Sequence, residues 1–138
     1  MQRVISSFIA GACFLASACA QAQGSFGSSF GTPELLPPEQ AFVVSQPEAD
    51  VIVITIAKGT YLYDERTMVQ NDSGDILKTQ RSESTIYDDP LFGPTPIHKK
   101  ALRMKVSDAP NLMVLTYQGC ADIGFCYPPQ QTELSFSR

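Results

Sequence analysis

The residues with most chemical potential lie in one short segment, Gly119-Cys120-Ala121-Asp122-Ile123-Gly124-Phe125-Cys126-Tyr127-Pro128-Pro129. Two thiols this close can exchange disulfides, hold a soft metal, or staple a loop. Five residues separate them, and closing so small a ring stabilises a fold by only about 2–2.5 kcal/mol. Spacing alone favours a structural pairing, although a structural staple more often joins distant strands. Gly119 and Gly124 permit close backbone approach, and Tyr117, Phe125 and Tyr127 could shield the sulfurs. A carboxylate at Asp122, if close, would raise a thiol pKa and oppose thiolate formation. With no C-x-x-C in the chain, the pattern is not that of a thioredoxin-type acidic thiol.

Other chemistries find little support. The single histidine, His98, excludes a metal site that needs two imidazoles and leaves no nucleophile–histidine–acid set to build. Beside Lys99-Lys100 it reads as a solvated loop residue. Met104 and Met113 fall on alternating strands and read as core rather than copper ligands, and Asp88-Asp89 as a solvated turn. A formal net charge of −4 gives no electrostatic footprint for nucleic acid.

The chain has four cysteines, but its N-terminus changes that count. Met1-Gln2-Arg3, an apolar run through about Ala18 and Ala20-Gln21-Ala22 form the pattern of a secretory signal peptide over residues 1–22. The apolar run is shorter than the about 20 residues of a comfortable membrane span. Cleavage after Ala22 leaves 116 of the 138 residues, removes Cys13 and Cys19, and shifts the net charge to −5. Ala16-Ser17-Ala18-Cys19 also resembles a bacterial lipoprotein processing site, so a lipid tether at Cys19 is an alternative fate. Either route exports the domain to an oxidising compartment, where Cys120 and Cys126 are expected to pair.

Residues 23–38, rich in Gly, Ser and Pro, read as a flexible leader, with the folded domain over residues 39–138. Ten prolines and nine glycines argue against a helical bundle. Residues 50–57, Asp-Val-Ile-Val-Ile-Thr-Ile-Ala, are dense in β-branched side chains and form the clearest strand. Residues 41–45, 60–63, 102–106, 112–117 and 132–137 read as further strands, with weaker ones at 67–70 and 76–79. Residues 87–96 carry Asp88, Asp89, three prolines and Gly93, which predicts a long loop, unusual in holding Leu91 and Phe92 side by side. Seven or eight short strands predict an all-β, immunoglobulin-like β-sandwich.

The segment from Thr116 to Pro129, Thr-Tyr-Gln-Gly-Cys-Ala-Asp-Ile-Gly-Phe-Cys-Tyr-Pro-Pro, closely resembles the active-site segment of the N-terminal periplasmic domain of the DsbD family of thiol:disulfide interchange proteins. Gln40-Ala41-Phe42, Gly59-Thr60-Tyr61-Leu62-Tyr63 and Phe92-Gly93 extend the resemblance over most of the mature chain. It implies an immunoglobulin-like sandwich with an active-site cap loop. Cys120 and Cys126 would be the redox pair, Cys126 attacking partners and Cys120 resolving the mixed disulfide. Tyr61 and Tyr63 would lie near the sulfurs, Asp89 would be the cap's acidic residue, and Leu91 or Phe92, followed by Gly93, would supply its apolar cover. Asp122, Phe125 and Tyr127 would complete the surround. The cap departs from the family's Phe-Tyr-Gly or Phe-Gly, reading Asp89-Pro90-Leu91-Phe92-Gly93-Pro94.

The resemblance implies a periplasmic protein-disulfide reductase or electron-relay domain that needs no organic cofactor and no metal. Its partners would be a membrane electron-transfer domain or protein and oxidised periplasmic thioredoxin-fold proteins, such as disulfide isomerases or cytochrome c maturation thioredoxins. Because the chain stops at Arg138, the electron donor is expected to be a separate protein. Two rival readings stand beside it: an envelope binding module with a purely structural disulfide, and a copper-handling protein.

Overall fold

A computed structural model describes residues 35–136. The signal segment, Cys13, Cys19 and most of the leader lie outside the described residues. A single helical turn, α1 (Pro38–Ala41), opens on a proline and leads into β1 (Phe42–Glu48). There follow β2 (Val51–Ile56), β3 (Thr60–Tyr63), β4 (Met68–Gln70), β5 (Thr79–Arg81), β6 (Thr85–Asp89) and β7 (Gly93–His98). The chain continues through β8 (Ala101–Val106), β9 (Leu112–Tyr117), β10 (Gly119–Ala121), β11 (Phe125–Cys126) and β12 (Gln130–Ser135).

The strands form three antiparallel sheets, ordered β1-β2-β8-β5, β12-β9-β4 and β11-β10-β3-β7-β6. In β8, Leu102, Met104 and Val106 point inward while Ala101, Arg103 and Lys105 face solvent, the alternation of a half-buried strand. Opposite β8, Ile54 pairs with Leu102 and Ile52 with Met104. Phe42, Ile52, Ile54, Leu62, Met113 and Leu115 join them in the main core. Met104 and Met113 are both fully buried, as core methionines should be.

Strand β3 is buried on both faces. Its period of two sends Leu62 into the main core and Tyr61 and Tyr63 into a second, smaller cluster with Ile97 and Cys120. In β10, Cys120 joins the second cluster and Ala121 the first. The sulfurs therefore sit in an aromatic compartment of their own, separate from the packing that carries most of the fold.

Four expectations need correction. Residues 87–96 are not a long loop but most of a hairpin, in which β6 and β7 pair from Thr85↔Ile97 to Asp89↔Gly93. Pro94 and Pro96 face Asp88 and Ile86 there. They take the pairs that exchange no ladder hydrogen bonds, so their missing N–H groups cost nothing toward β6. The expected strand at 76–79 is displaced: Ile76 is exposed and makes one bridge to Gln70, and β5 starts at Thr79. Leu36, assigned to the leader, packs on the main core, and its carbonyl accepts the Tyr127 hydroxyl at 2.7 Å, so folded contacts begin before Glu39. Finally, His98 is buried on β7, with Nε2 2.9 Å from Asp64 Oδ1.

Candidate functional site

Strands β10 and β11 form a tight hairpin in which Cys120 lies directly opposite Cys126, Cα atoms 3.9 Å apart, and the two are joined as a disulfide. The turn Asp122-Ile123-Gly124 closes with the Gly124 N–H donating to the Ala121 carbonyl at 2.9 Å. Gly124 takes φ +89, a conformation that L side chains resist. Gly119 serves differently: a Cβ there would meet the Tyr61 carbonyl and lie 2.5 Å from Phe42 Cζ. Its lack of a side chain lets β10 lie against β3, where Cys120 pairs with Tyr61. Cys120 is fully buried, whereas Cys126, on the outermost strand of its sheet, is partly exposed.

Behind Cys120 stands a phenol–carboxylate group. The Tyr61 and Tyr63 hydroxyls both donate to Asp89 Oδ2, at 2.8 and 2.7 Å. Tyr63 Oη also lies 3.1 Å from Cys120 Sγ. The other carboxylate oxygen, Oδ1, accepts the backbone N–H groups of Leu91 and Phe92 at 2.8 and 3.2 Å. One buried side chain thus ties the sulfur's neighbours to the tip of the β6–β7 hairpin. Burial pushes the Asp89 carboxyl upward, but the bonds from Tyr63, Leu91 N–H, Tyr61 and Phe92 N–H outweigh it and hold it below the usual carboxylate range. Burial and the Asp89 bond both raise the Tyr61 and Tyr63 phenols, which stay neutral donors.

The hairpin tip is Pro90-Leu91-Phe92, and Gly93 after it takes φ +72. The Phe92 ring meets the Tyr63 ring edge-on, centroids 5.7 Å apart, while Leu91 points outward, 68% exposed. Of the two apolar tip residues, Phe92 is the one whose ring packs on the site.

A family model described as "Thiol:disulfide interchange protein DsbD, N-terminal" matches residues 32–137. The chain belongs to the DsbD N-terminal domain family. The DsbD of Neisseria meningitidis serogroup A / serotype 4A is 36% identical over 113 residues, 75% of this chain and 19% of that protein. The DsbD of Escherichia coli K12 is 30% identical over 114 residues, 78% of this chain and 20% of that protein. The chain thus spans about a fifth of the length of these relatives. The crystal structure of the reduced N. meningitidis DsbD N-terminal domain aligns with TM-score 0.66 and 34% identity, covering 75% of this chain and 90% of that one. A structure of the complex between the DsbD and PilB N-terminal domains from N. meningitidis aligns with TM-score 0.60 and 32% identity, covering 74% and 87%. The all-β sandwich expected from the sequence is the fold of the DsbD N-terminal domain.

The structure places the DsbD-like site residues unevenly. Cys120, Tyr61, Tyr63, Asp89 and Phe92 converge, and Cys126 packs at the edge of their cluster. Asp122 stands apart: half-exposed on the turn, its Oδ1 lies 3.9 Å from Lys99 Nζ. The carboxylate linked to a sulfur is Asp89, through Tyr63. Tyr117 and Tyr127 do not shield the sulfurs either; both pack edge-on against Phe42 in the main core. Exposed Phe125 leans on Tyr127. Three residues that sequence reasoning passed over also belong here. Tyr87 packs on Tyr61 with centroids 5.1 Å apart, the Arg66 guanidinium lies 4.2 Å from the Phe92 centroid, and Gln118 accepts from Arg66 at 2.9 Å. Gln118 stood in the quoted cysteine segment without a role, and no chemical pattern in the sequence marked Arg66 or Tyr87.

Proposed function

We propose that this domain performs thiol:disulfide interchange in the periplasm, taking two electrons from a membrane electron-transfer partner and passing them to oxidised thioredoxin-fold proteins. The observation that carries this reading is the asymmetry of the disulfide, with Cys126 reachable on an edge strand and Cys120 buried against Tyr63 and Asp89. In the reduced form, the Cys126 thiolate attacks one sulfur of the partner's disulfide. That bond breaks, a mixed disulfide forms, and the partner's second sulfur leaves as thiolate. Cys120 then attacks Cys126 Sγ, re-forming the internal disulfide and releasing the partner as a dithiol. Tyr63 Oη, which donates to Asp89, has a lone pair to accept a hydrogen bond from the Cys120 S–H, whose proton passes to the departing partner thiolate as the internal disulfide re-forms. The complex formed by the N. meningitidis DsbD N-terminal domain supports partner docking as the working mode.

Substitution at each cysteine tests the order of events. Reduced Cys120→Ala, mixed with an oxidised thioredoxin-fold disulfide isomerase, should accumulate a mixed disulfide that added reductant releases. Cys126→Ala should form none. Wild-type rates of partner reduction by both variants would sink the mechanism. A reduction potential well below about −300 mV would instead mark a structural disulfide.

Export belongs to the same proposal, with residues 1–22 as signal peptide and Cys19 as the alternative tether. Among the described residues no helix is long and apolar enough to cross a membrane. Mass spectrometry of the mature N-terminus distinguishes Gln23 from a lipid-modified Cys19.

A further inference from the structure

The cap needs a restraint that its own turn does not supply. Asp89 Oδ1 fixes the backbone of Leu91 and Phe92, but the Phe92 ring remains half-exposed and touches the site only by its edge contact with Tyr63. Over that ring lies the Arg66 guanidinium, 4.2 Å from the centroid and 5.3 Å from the Tyr63 centroid. Among the described residues no carboxylate forms an ion pair with Arg66. Its Nη1 instead donates to Gln118 Oε1 at 2.9 Å, and Gln118 Nε2 donates to the Tyr127 carbonyl at 3.0 Å, the residue after Cys126. One cation therefore bridges the cap ring and the backbone behind the exposed sulfur.

The segment presenting Arg66 is held on both sides. The Asp64 N–H donates to the Pro96 carbonyl at 3.0 Å, and His98 Nε2 lies 2.9 Å from Asp64 Oδ1. Arg81 donates to the carbonyls of Asp64 and Thr67, each at 2.6 Å, and Thr67 Oγ1 donates to the Tyr63 carbonyl at 2.8 Å. A long, flexible side chain is thus mounted on a fixed turn, which lowers the entropy cost of seating it on a ring.

We propose that Arg66 is a positioning residue that latches the cap, its guanidinium holding the Phe92 ring against Tyr63, the neighbour of Cys120 Sγ, until a partner displaces the ring. This rests on the thiol-exchange reading, in which Cys126 must be shielded between encounters. The planar cation adds attraction to the ring face, and Gln118 orients it.

The test is the alkylation rate of the fully reduced protein by excess iodoacetamide, followed across the thiol titration range. Arg66→Gln and Arg66→Ala should raise the rate about two- to fivefold at every pH, the factor expected of one exposed cation–π contact. Arg66→Lys, which keeps the charge, should restore a substantial part of the protection. In a Phe92→Ala background the Arg66 substitutions should add nothing, because the ring they act through is gone. Slower alkylation with a profile displaced to higher pH would overturn the latch, since a lost cation would then be acting on the thiolate directly. Unchanged rates, or equal acceleration with and without the Phe92 ring, would overturn it as well. Alkylation needs no partner, so it reports on the latch independently of the Cys120→Ala trap. Loss of trapping with the Arg66 effect intact would refute the exchange mechanism and leave the latch standing.

Discussion

Asp89 concentrates more of the site's organisation than any other residue. Its two oxygens accept four hydrogen bonds, two from phenols beside the sulfur and two from the cap backbone. A buried carboxylate is tolerated only when so satisfied. Because its pKa is lowered on folding, its contribution is whole above the unfolded value near about 4 and drains away as pH falls through the depressed folded value. The raised phenols of Tyr61 and Tyr63 act with the opposite sign. Their contribution is whole below about pH 10 and is lost as pH rises through their folded values. Asp89→Asn presents an amide donor where two phenols donate, and should cost about 2 kcal/mol at neutral pH. Urea unfolding as a function of pH checks this. The variant should lose part of the wild-type decline in acid, the remainder belonging to Asp64, whose carboxyl is also held low despite burial, by His98 and Arg81. An unaltered acid slope would show that the hub stores no charge-dependent stability.

At the scale of elements, two hairpins flank β3 in one sheet: β10–β11 carries the sulfurs and β6–β7 carries the proposed cap. Each uses a positive-φ glycine at its turn, but Gly119, which opens β10, has a steric duty instead. This separates two substitutions that look equivalent in sequence. Gly124→Ala has open space and bears only the backbone penalty, about 1–2 kcal/mol. Gly119→Ala drives a methyl into the Tyr61 carbonyl and the Phe42 ring, parting β10 from β3 and displacing Cys120 from Tyr63. Overpacking of this kind costs about 1–3 kcal/mol. Only the second substitution should also speed alkylation of the reduced thiols. Denaturant midpoints read beside alkylation rates test the distinction, and identical behaviour of both variants in the two assays would contradict it.

For the whole molecule, the division into two clusters decides what the disulfide is worth. The main core holds Phe42, Ile52, Ile54, Leu102 and Met113, and neither cysteine belongs to it. The disulfide closes a ring of one hairpin and joins no distant strands. Reduction should therefore lower the unfolding free energy by only about 2 kcal/mol and leave the far-ultraviolet circular dichroism unchanged. A melt with and without a phosphine reductant checks this, and cooperative unfolding on reduction would show that the bond is a staple. The N. meningitidis domain, solved in its reduced form, aligns with this disulfide-bonded one over 75% of the chain.

Local composition was enough to reveal the β-rich class, the strands at 51–56, 101–106 and 112–117, the buried methionines and the cysteine segment. Alternation and β-branching are short-range signals that tertiary packing rarely reverses. The phrase around Cys120 and Cys126 carried the family by itself. What it could not carry was contact between residues far apart in the chain. Composition read Asp88-Asp89 as a solvated turn and the resemblance gave Asp89 a place in the cap, but neither showed that Tyr61 and Tyr63, 28 and 26 residues away, donate to it. His98 looked solvated until Asp64, 34 residues away, took its ring nitrogen. Proline content hid the β6–β7 hairpin, because only the register shows that Pro94 and Pro96 occupy positions that owe no hydrogen bond to β6. Arg66 had no pattern to announce it. The chain dictated which residues were available for redox chemistry, and tertiary packing alone chose their neighbours, since a buried charge or ring is placed by whatever satisfies it across sheets.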